Sequence, residues 1–150
     1  MSDDRLHLER LRELLSTQLL GVLSTHGEAG PYSSLVAFAA ASDLSSLLFT
    51  TSRSTRKFAN LSHDARAAML VDDRSNDPRD FAEAAAATAV GRVAEVTAGD
   101  REQAAARFLE RHPYLDHFVA SPSCVLLRLE VERYMVVARF QHVLEIRVGP

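Results

Sequence analysis

Cys124 is the only cysteine in 150 residues. The chain therefore closes no disulfide within itself and builds no cysteine cage around zinc. A basic excess is also missing: Lys and Arg total 17 against 20 Asp and Glu, a formal net charge of −3. That balance argues against a general nucleic-acid binder. No apolar run is long enough to cross a bilayer, and the N-terminus is charged from Asp3 onward, unlike a signal peptide. The expected setting is cytoplasmic and reducing, with no membrane partner. Gly-x-Ser-x-Gly, P-loop and paired-carboxylate patterns are absent. The six histidines, at 7, 26, 63, 112, 117 and 142, never fall at the i,i+4 spacing of a helical metal site. A metal site is not expected, and single histidines at loops and helix ends are expected in solvent. What remains is 47% apolar and 25% charged, ordinary for one globular domain, here residues 1–150.

Against this mildly acidic background one stretch stands out, Phe49-Thr50-Thr51-Ser52-Arg53-Ser54-Thr55-Arg56-Lys57-Phe58-Ala59-Asn60-Leu61. It ends an apolar strand, passes a hydroxyl-rich turn and enters a helix. Ser52 to Lys57 supply three hydroxyls and three cations in six residues. Unpaired N–H groups and the positive end of the dipole at a helix start favour an anion. Arg56 and Lys57 add full charges, and arginine grips two phosphate oxygens at once. A terminal phosphate monoester suits this chemistry best. The competing reading, that Ser54 or Thr55 only caps the helix among solvated cations, stands beside it.

In chain order, about Ser2 to Ser16 reads as an amphipathic helix with Leu8, Leu11 and Leu15 on one stripe. Gln18–Thr25, Tyr32–Ala40 and Leu47–Thr51 read as strands joined by short turns, the first around Gly27–Pro31. Connections this short make an antiparallel meander and exclude βαβ crossovers, hence a Rossmann fold. A short helix from Arg56 to Ser62 leads to a strand over Ala65–Val71, then a polar loop over Asp72–Pro78. The alanine run Ala84–Ala87 is ambiguous; a short helix or loop opens it, and Thr88–Val96 reads as the fifth strand. Ala98–Arg111 is the clearest helix, ended by Pro113, with one further turn over Tyr114–Val119. Cys124–Val131, Tyr134–Phe140 and Val143–Val148 read as three closing strands. Seven or eight strands with marginal helices predict an α+β, mainly β barrel. Cys124 has no pKa-lowering neighbour in sequence and is expected to be a buried small hydrophobe.

Three stretches in this order resemble the pyridoxamine 5'-phosphate oxidase-like superfamily of FMN-binding split barrels. They are Gly30-Pro31-Tyr32-Ser33-Ser34-Leu35-Val36; Phe49-Thr50-Thr51 with Ser54-Thr55-Arg56-Lys57 and Asn60-Leu61; and Met69-Leu70-Val71-Asp72-Asp73-Arg74-Ser75-Asn76. Within the superfamily the chain looks closer to small proteins related to haem utilisation than to the oxidase. The resemblance implies a split β-barrel with flanking helices, assembled as a homodimer with FMN at the subunit interface. It assigns Thr55, Arg56 and Lys57 to the phosphate, with Thr50, Thr51 and Ser52 at the adjoining strand end. Ser33, Ser34, Leu35 and Val36 would lie along the isoalloxazine ring. Arg74, Ser75 and Asn76 would approach the flavin of the partner subunit. Read from the residues alone, Ser33 and Ser34 are plain strand hydroxyls and Arg74–Asn76 a solvated loop.

Several departures narrow the expectation. The oxidase's substrate-recognition residues near the C-terminus have no counterpart here, and its Arg/Lys pair on the second strand is replaced by Ser33 and Ser34. Vitamin B6 oxidation is therefore not expected. The glycine-rich tail of some haem-degrading relatives is not found before Pro150. Arg139-Phe140-Gln141-His142 could line a flavin edge or simply be core. The expected function is an FMN-dependent oxidoreductase acting on a small molecule, reduced by NAD(P)H or a partner flavin reductase. Its alternatives are a flavin sensor or carrier without turnover, a deazaflavin in the same cleft, and a haem-binding or haem-degrading protein using His117 or His142.

Overall fold

The computed structural model describes residues 3–139 and 142–149. Its first element, α1 (Asp3–Thr17), buries Leu11, Leu14 and Leu15 and leaves Glu9 and Glu13 in water. The strands follow as β1 (Leu20–Gly27), β2 (Gly30–Ala40), β3 (Ser46–Ser52), β4 (Arg66–Asp72), β5 (Ala86–Glu95), β6 (Cys124–Ala138) and β7 (His142–Arg147). Between them lie α2 (Arg56–His63), α3 (Asp80–Glu83), α4 (Arg101–Arg111), a 3-10 turn at Pro113–Leu115 and α5 (Asp116–Ala120). The strand order is β3-β2-β1-β4-β5-β6-β7, and a further β3–β6 pairing closes the first six into an antiparallel barrel. This is the expected α+β, mainly β split barrel, and the short connections make every pairing antiparallel.

One expectation about the strands fails. Cys124–Val131 and Tyr134–Phe140 are not two strands; Cys124–Ala138 is one. Glu132-Arg133 reads as a polar break, yet it marks a bulge. Gly91 pairs with Val131 and Val90 with Arg133, so Glu132 is the extra residue. A Cβ on Gly91 would stand 1.9 Å from the Glu130 carbonyl oxygen, which restricts the position to glycine. The length of β6 has a use: its first half pairs with β3 and its second with β7 on the same edge. The alanine run resolves as α3 ending at Glu83 and β5 beginning at Ala86. Phe140 and Gln141 lie outside the described residues.

Antiparallel strands place alternate chain ends at opposite mouths of the barrel. At one mouth α1 plugs the core: Arg10 reaches Asp73 at 3.1 Å and the Glu83 carbonyl at 3.1 Å. At the other, α2 seats Leu61 in the core and Phe58 against it. The interior is filled by Leu23, Phe38, Phe49, Met69, Leu129 and Tyr134, all fully buried. Tyr134 donates its hydroxyl to the Leu44 carbonyl at 2.7 Å, pinning a turn where Leu44 has φ of 66°. On the outside, α4 lays Ala104 and Phe108 over Ala39, Leu48 and Leu126. Among the described elements, no helix covers the remaining outer surface on β1, the first half of β2, and β4.

Two histidines depart from the expectation that single histidines at loops and helix ends lie in solvent. His7 and His112 are buried. His112, at the end of α4, packs 4.8 Å from the Phe108 ring and donates Nε2–H to the Phe38 carbonyl at 2.6 Å. Cys124 is buried as expected, and burial pushes its thiol pKa up, which leaves it a poor nucleophile.

Candidate functional site

The start of α2 is built by hydroxyls. Thr55 is the N-cap: its Oγ1 accepts from the Phe58 N–H at 3.3 Å and donates to the Ser52 carbonyl at 2.9 Å. Thr51 Oγ1 lies 2.7 Å from Thr55 Oγ1. The Thr55 hydroxyl is thus engaged in building the helix start. Ser52 Oγ accepts from the Ser54 N–H at 3.3 Å and lies 3.0 Å from Ser54 Oγ. Thr50 is buried on the opposite side of β3 from Thr51.

The cations divide. Arg53 turns away, paired with Glu95 at 2.8 Å and lying over Phe58. Arg56 is exposed, its guanidinium 5.8 Å from the centre of the Tyr32 ring, and Lys57 is half-buried. Neither makes an ion pair among the described residues. As the first two residues of the helix, they also present backbone N–H groups without intrahelical acceptors. An anion at this point meets two N–H groups, two unpaired cations and the Ser54 hydroxyl. The donor set fits a phosphate.

The β2 residues separate by strand alternation. Ser34 pairs with fully buried Leu23 and, with Val36, faces the barrel interior; Ser33 and Leu35 face out. Ser34 Oγ is buried without a hydrogen-bond partner, whereas Ser33 Oγ lies 3.5 Å from Ser24 Oγ. Only Ser33 and Leu35 therefore offer side chains to anything on the outer surface; Ser34 and Val36 contribute backbone.

Arg74, Ser75 and Asn76 follow β4 at the α1 mouth, the opposite end of the barrel from α2. The chain does not bring the two groups together. Their loop is wound on Asp80, whose carboxylate accepts the backbone N–H groups of Ser75, Asn76 and Asp77, and Arg74 pairs with Asp72 at 3.1 Å. These hydrogen bonds, led by Ser75, hold the Asp80 carboxyl below its usual range.

Sequence reasoning missed a groove of about 540 Å³ between α2 and the β1–β2 hairpin. His26 and Glu28 line it from the hairpin, and Ser54, Arg56, Asn60 and His63 from the helix. Asn60 anchors the two sides, donating from Nδ2 to Thr25 Oγ1 at 3.0 Å. A Cβ on Gly27 would come within 3.1 Å of the Asn60 amide, so glycine there permits the close approach. The available signal was Asn60 itself, a polar residue between the apolar Phe58 and Leu61. Elsewhere, no cluster of three metal-ligating side chains occurs among the described residues. His117 and His142 are exposed, and no described helix is long and apolar enough to cross a membrane.

Known proteins now provide a frame for this geometry. The haem-binding protein of Mycobacterium smegmatis superposes with a TM-score of 0.83 at 20% identity, over 94% of this chain and 57% of that one. The chain thus spans little more than half that protein's length. An FAD-binding protein of Mesorhizobium loti gives a TM-score of 0.67 at 17% identity, over 86% of this chain and 90% of that one. HutZ, the haem storage protein of Vibrio cholerae, gives 0.72 at 18% identity, over 87% and 93%. These likenesses establish the fold. No curated protein matches the sequence. The family model described as pyridoxamine 5'-phosphate oxidase matches residues 8–138. The chain belongs to the pyridoxamine 5'-phosphate oxidase family.

Proposed function

We propose that the chain binds FMN by its phosphate at the start of α2 and works as a homodimeric, flavin-dependent oxidoreductase on a small molecule. The observation that carries this is the α2 start: backbone N–H groups of Arg56 and Lys57 without intrahelical acceptors, beside side chains that make no ion pair among the described residues. Family membership supports the same reading.

Bound FMN supplies two-electron redox chemistry that no side chain here provides. The chain's own contribution is to bind and orient. Thr55 and Thr51 fix the helix start, so Arg56 and Lys57 meet the phosphate with little reorganisation. Ser33 and Leu35 present a neutral, partly apolar outer surface beside it, and Ser24 extends that surface on β1. Ser33 stands on β2 in place of a cation, so β2 itself gives the ring no direct charge pairing, which favours reloading by an external reductant.

The dimer is supported by the outer surface that α4 leaves uncovered. Leu35 is 64% exposed and Leu20 50%, and cross-strand pairing sets Leu35 beside Val22, and Val22 beside Leu70. A contiguous apolar sheet face of this kind marks an interaction site. Light scattering is expected to report twice the 16.5 kDa chain mass. Haem is the second reading, favoured by the names of two structural neighbours; a Soret band on adding haemin identifies it.

The test is a titration with FMN and with riboflavin. Charge-assisted hydrogen bonds contribute about 1.5–3 kcal/mol each, so Arg56→Ala/Lys57→Ala weakens FMN by tenfold or more and leaves riboflavin unchanged. Equal FMN affinity in the wild type and the double variant rules out the phosphate assignment. Anaerobic mixing with NAD(P)H or a flavin reductase then follows bleaching of the flavin band; no bleaching with either favours the sensor or carrier. Pyridoxamine 5'-phosphate is expected to be left unoxidised.

A further inference from the structure

The phosphate position at the start of α2 is not closed off. The groove between α2 and the β1–β2 hairpin begins at Ser54 and Arg56 and runs to His63, the last residue of the helix. At 1.5 Å per residue, Arg56 to His63 spans about 10 Å. Its volume, about 540 Å³, lies within the range of small-molecule sites, about 300–1,000 Å³.

Its polarity runs in one direction. The Arg56 end carries the cation and the positive end of the helix dipole; the His63 end carries the negative end. Along the way the groove offers acceptors. Asn60 is 9% exposed, its Nδ2 is committed to Thr25, and its Oδ1 accepts no hydrogen bond among the described residues. Glu28 adds a carboxylate from the hairpin, and His26 and His63 add planar rings. A free second phosphate would leave these acceptors without donors, and an apolar tail would bury them unpaired. The matching ligand is anionic at one end and a hydrogen-bond donor at the other, linked to the first phosphate. An adenylate group meets that description: its phosphate sits by Arg56 and its exocyclic amine faces the acceptors.

From this we infer that the groove is an adenylate subsite, so that the chain takes FAD in preference to FMN. The inference rests on the flavin-phosphate reading of the α2 start and adds the groove to it. It is tested on the purified full chain, stripped of any flavin, by titrating FMN and FAD separately. The expected result is FAD binding at least tenfold tighter than FMN. Ala29→Trp, an exposed hairpin position lining the groove, fills the subsite with a large ring while leaving the α2 start intact. In that variant FMN affinity is unchanged and FAD falls to the FMN level or below. FAD binding no tighter than FMN in the wild type overturns the subsite and leaves the FMN reading standing. Retention of the FAD advantage in Ala29→Trp also overturns it. Failure of both flavins to bind removes both readings together.

Discussion

The outer surface of the barrel is finished in two different ways, and β2 takes part in both. Toward its C-terminal end, Ala39 is sealed under Phe108 of α4 together with Leu48 and Leu126. Toward its N-terminal end, Leu35 stands 64% exposed with Val22 and Leu70 as cross-strand neighbours. One strand therefore presents apolar side chains outward along its length, but the chain supplies a cover for only half of them. The sealed half belongs to the stability of the subunit. The open half contributes little to folding while water covers it, because burial is what makes an apolar side chain stabilising.

Phe108→Ala tests the sealed half and carries the largest expected effect. Phe108 is fully buried and also packs on the His112 ring. Truncation of a buried phenylalanine costs about 3–5 kcal/mol, a large part of the stability of a domain this size. Chemical denaturation reads it directly. A loss below 1 kcal/mol would mean that α4 is an appendage and that the β2–β3–β6 surface tolerates water.

Leu35→Lys tests the open half. A lysine there leaves an isolated subunit within about 0.5 kcal/mol of its stability, as for most surface substitutions. In a dimer it places a charge at the centre of an apolar patch and weakens association by about 2 kcal/mol or more. The expected outcome is a fall in mass from two chains to one, with the circular dichroism spectrum unchanged. A wild type that is already monomeric, or a variant that remains dimeric, removes this surface as the interface.

Sequence legibility follows the same division. The helix start at Arg56 was readable because its hydroxyls and cations are contiguous and act locally. Strands β1 to β4 were readable because short, mostly apolar runs lie between clear turns and polar segments. Strand β6 was misread because Glu132 is understood only through Gly91, a partner distant in the chain. The groove beside α2 was invisible for a related reason: His26 and Glu28 reach Asn60 and His63 only through the packing of α2 on β1. Ser33 to Val36 were readable as a unit, but their division into outward and inward side chains needed the register with Leu23. The buried His7 and His112 offer no sequence signal, since each is satisfied by a backbone carbonyl elsewhere in the fold.

Thr55→Ala separates capping from ligand binding at the α2 mouth, with a smaller effect. Its hydroxyl satisfies the Phe58 N–H and holds Ser52 and Thr51. Loss of such a cap costs about 1 kcal/mol. Ser54→Ala, whose hydroxyl meets Ser52 alone among the described residues, is expected to change stability by less than about 0.5 kcal/mol. A flavin titration sharpens the contrast: Thr55→Ala weakens FMN only as far as it loosens the helix start. If Thr55→Ala leaves thermal stability untouched yet abolishes FMN binding, the hydroxyl is a ligand and the cap assignment is wrong.

The smallest expected effect is a pH dependence at the rim of the open half. Asp64, which follows α2, accepts from Arg66 three times: from Nε at 3.1 Å, from a terminal guanidinium nitrogen at 2.8 Å and from the backbone N–H at 3.0 Å. The Arg66 side chain, then its backbone N–H, holds the Asp64 carboxyl well below the usual carboxylate range. The folded state thus binds its proton less readily than the unfolded chain, whose aspartates titrate near ~4. The resulting stabilisation is fully present above that value and is lost as pH falls through the lower, folded-state pKa. Asp64→Asn should therefore melt slightly below the wild type at neutral pH, and the two curves should converge under strongly acidic conditions. Added salt should narrow the neutral-pH gap, since the pair is exposed and screened. A constant difference between the two proteins across the whole acid limb would assign the stabilisation to the shape of the turn after α2 and not to the charge on Asp64.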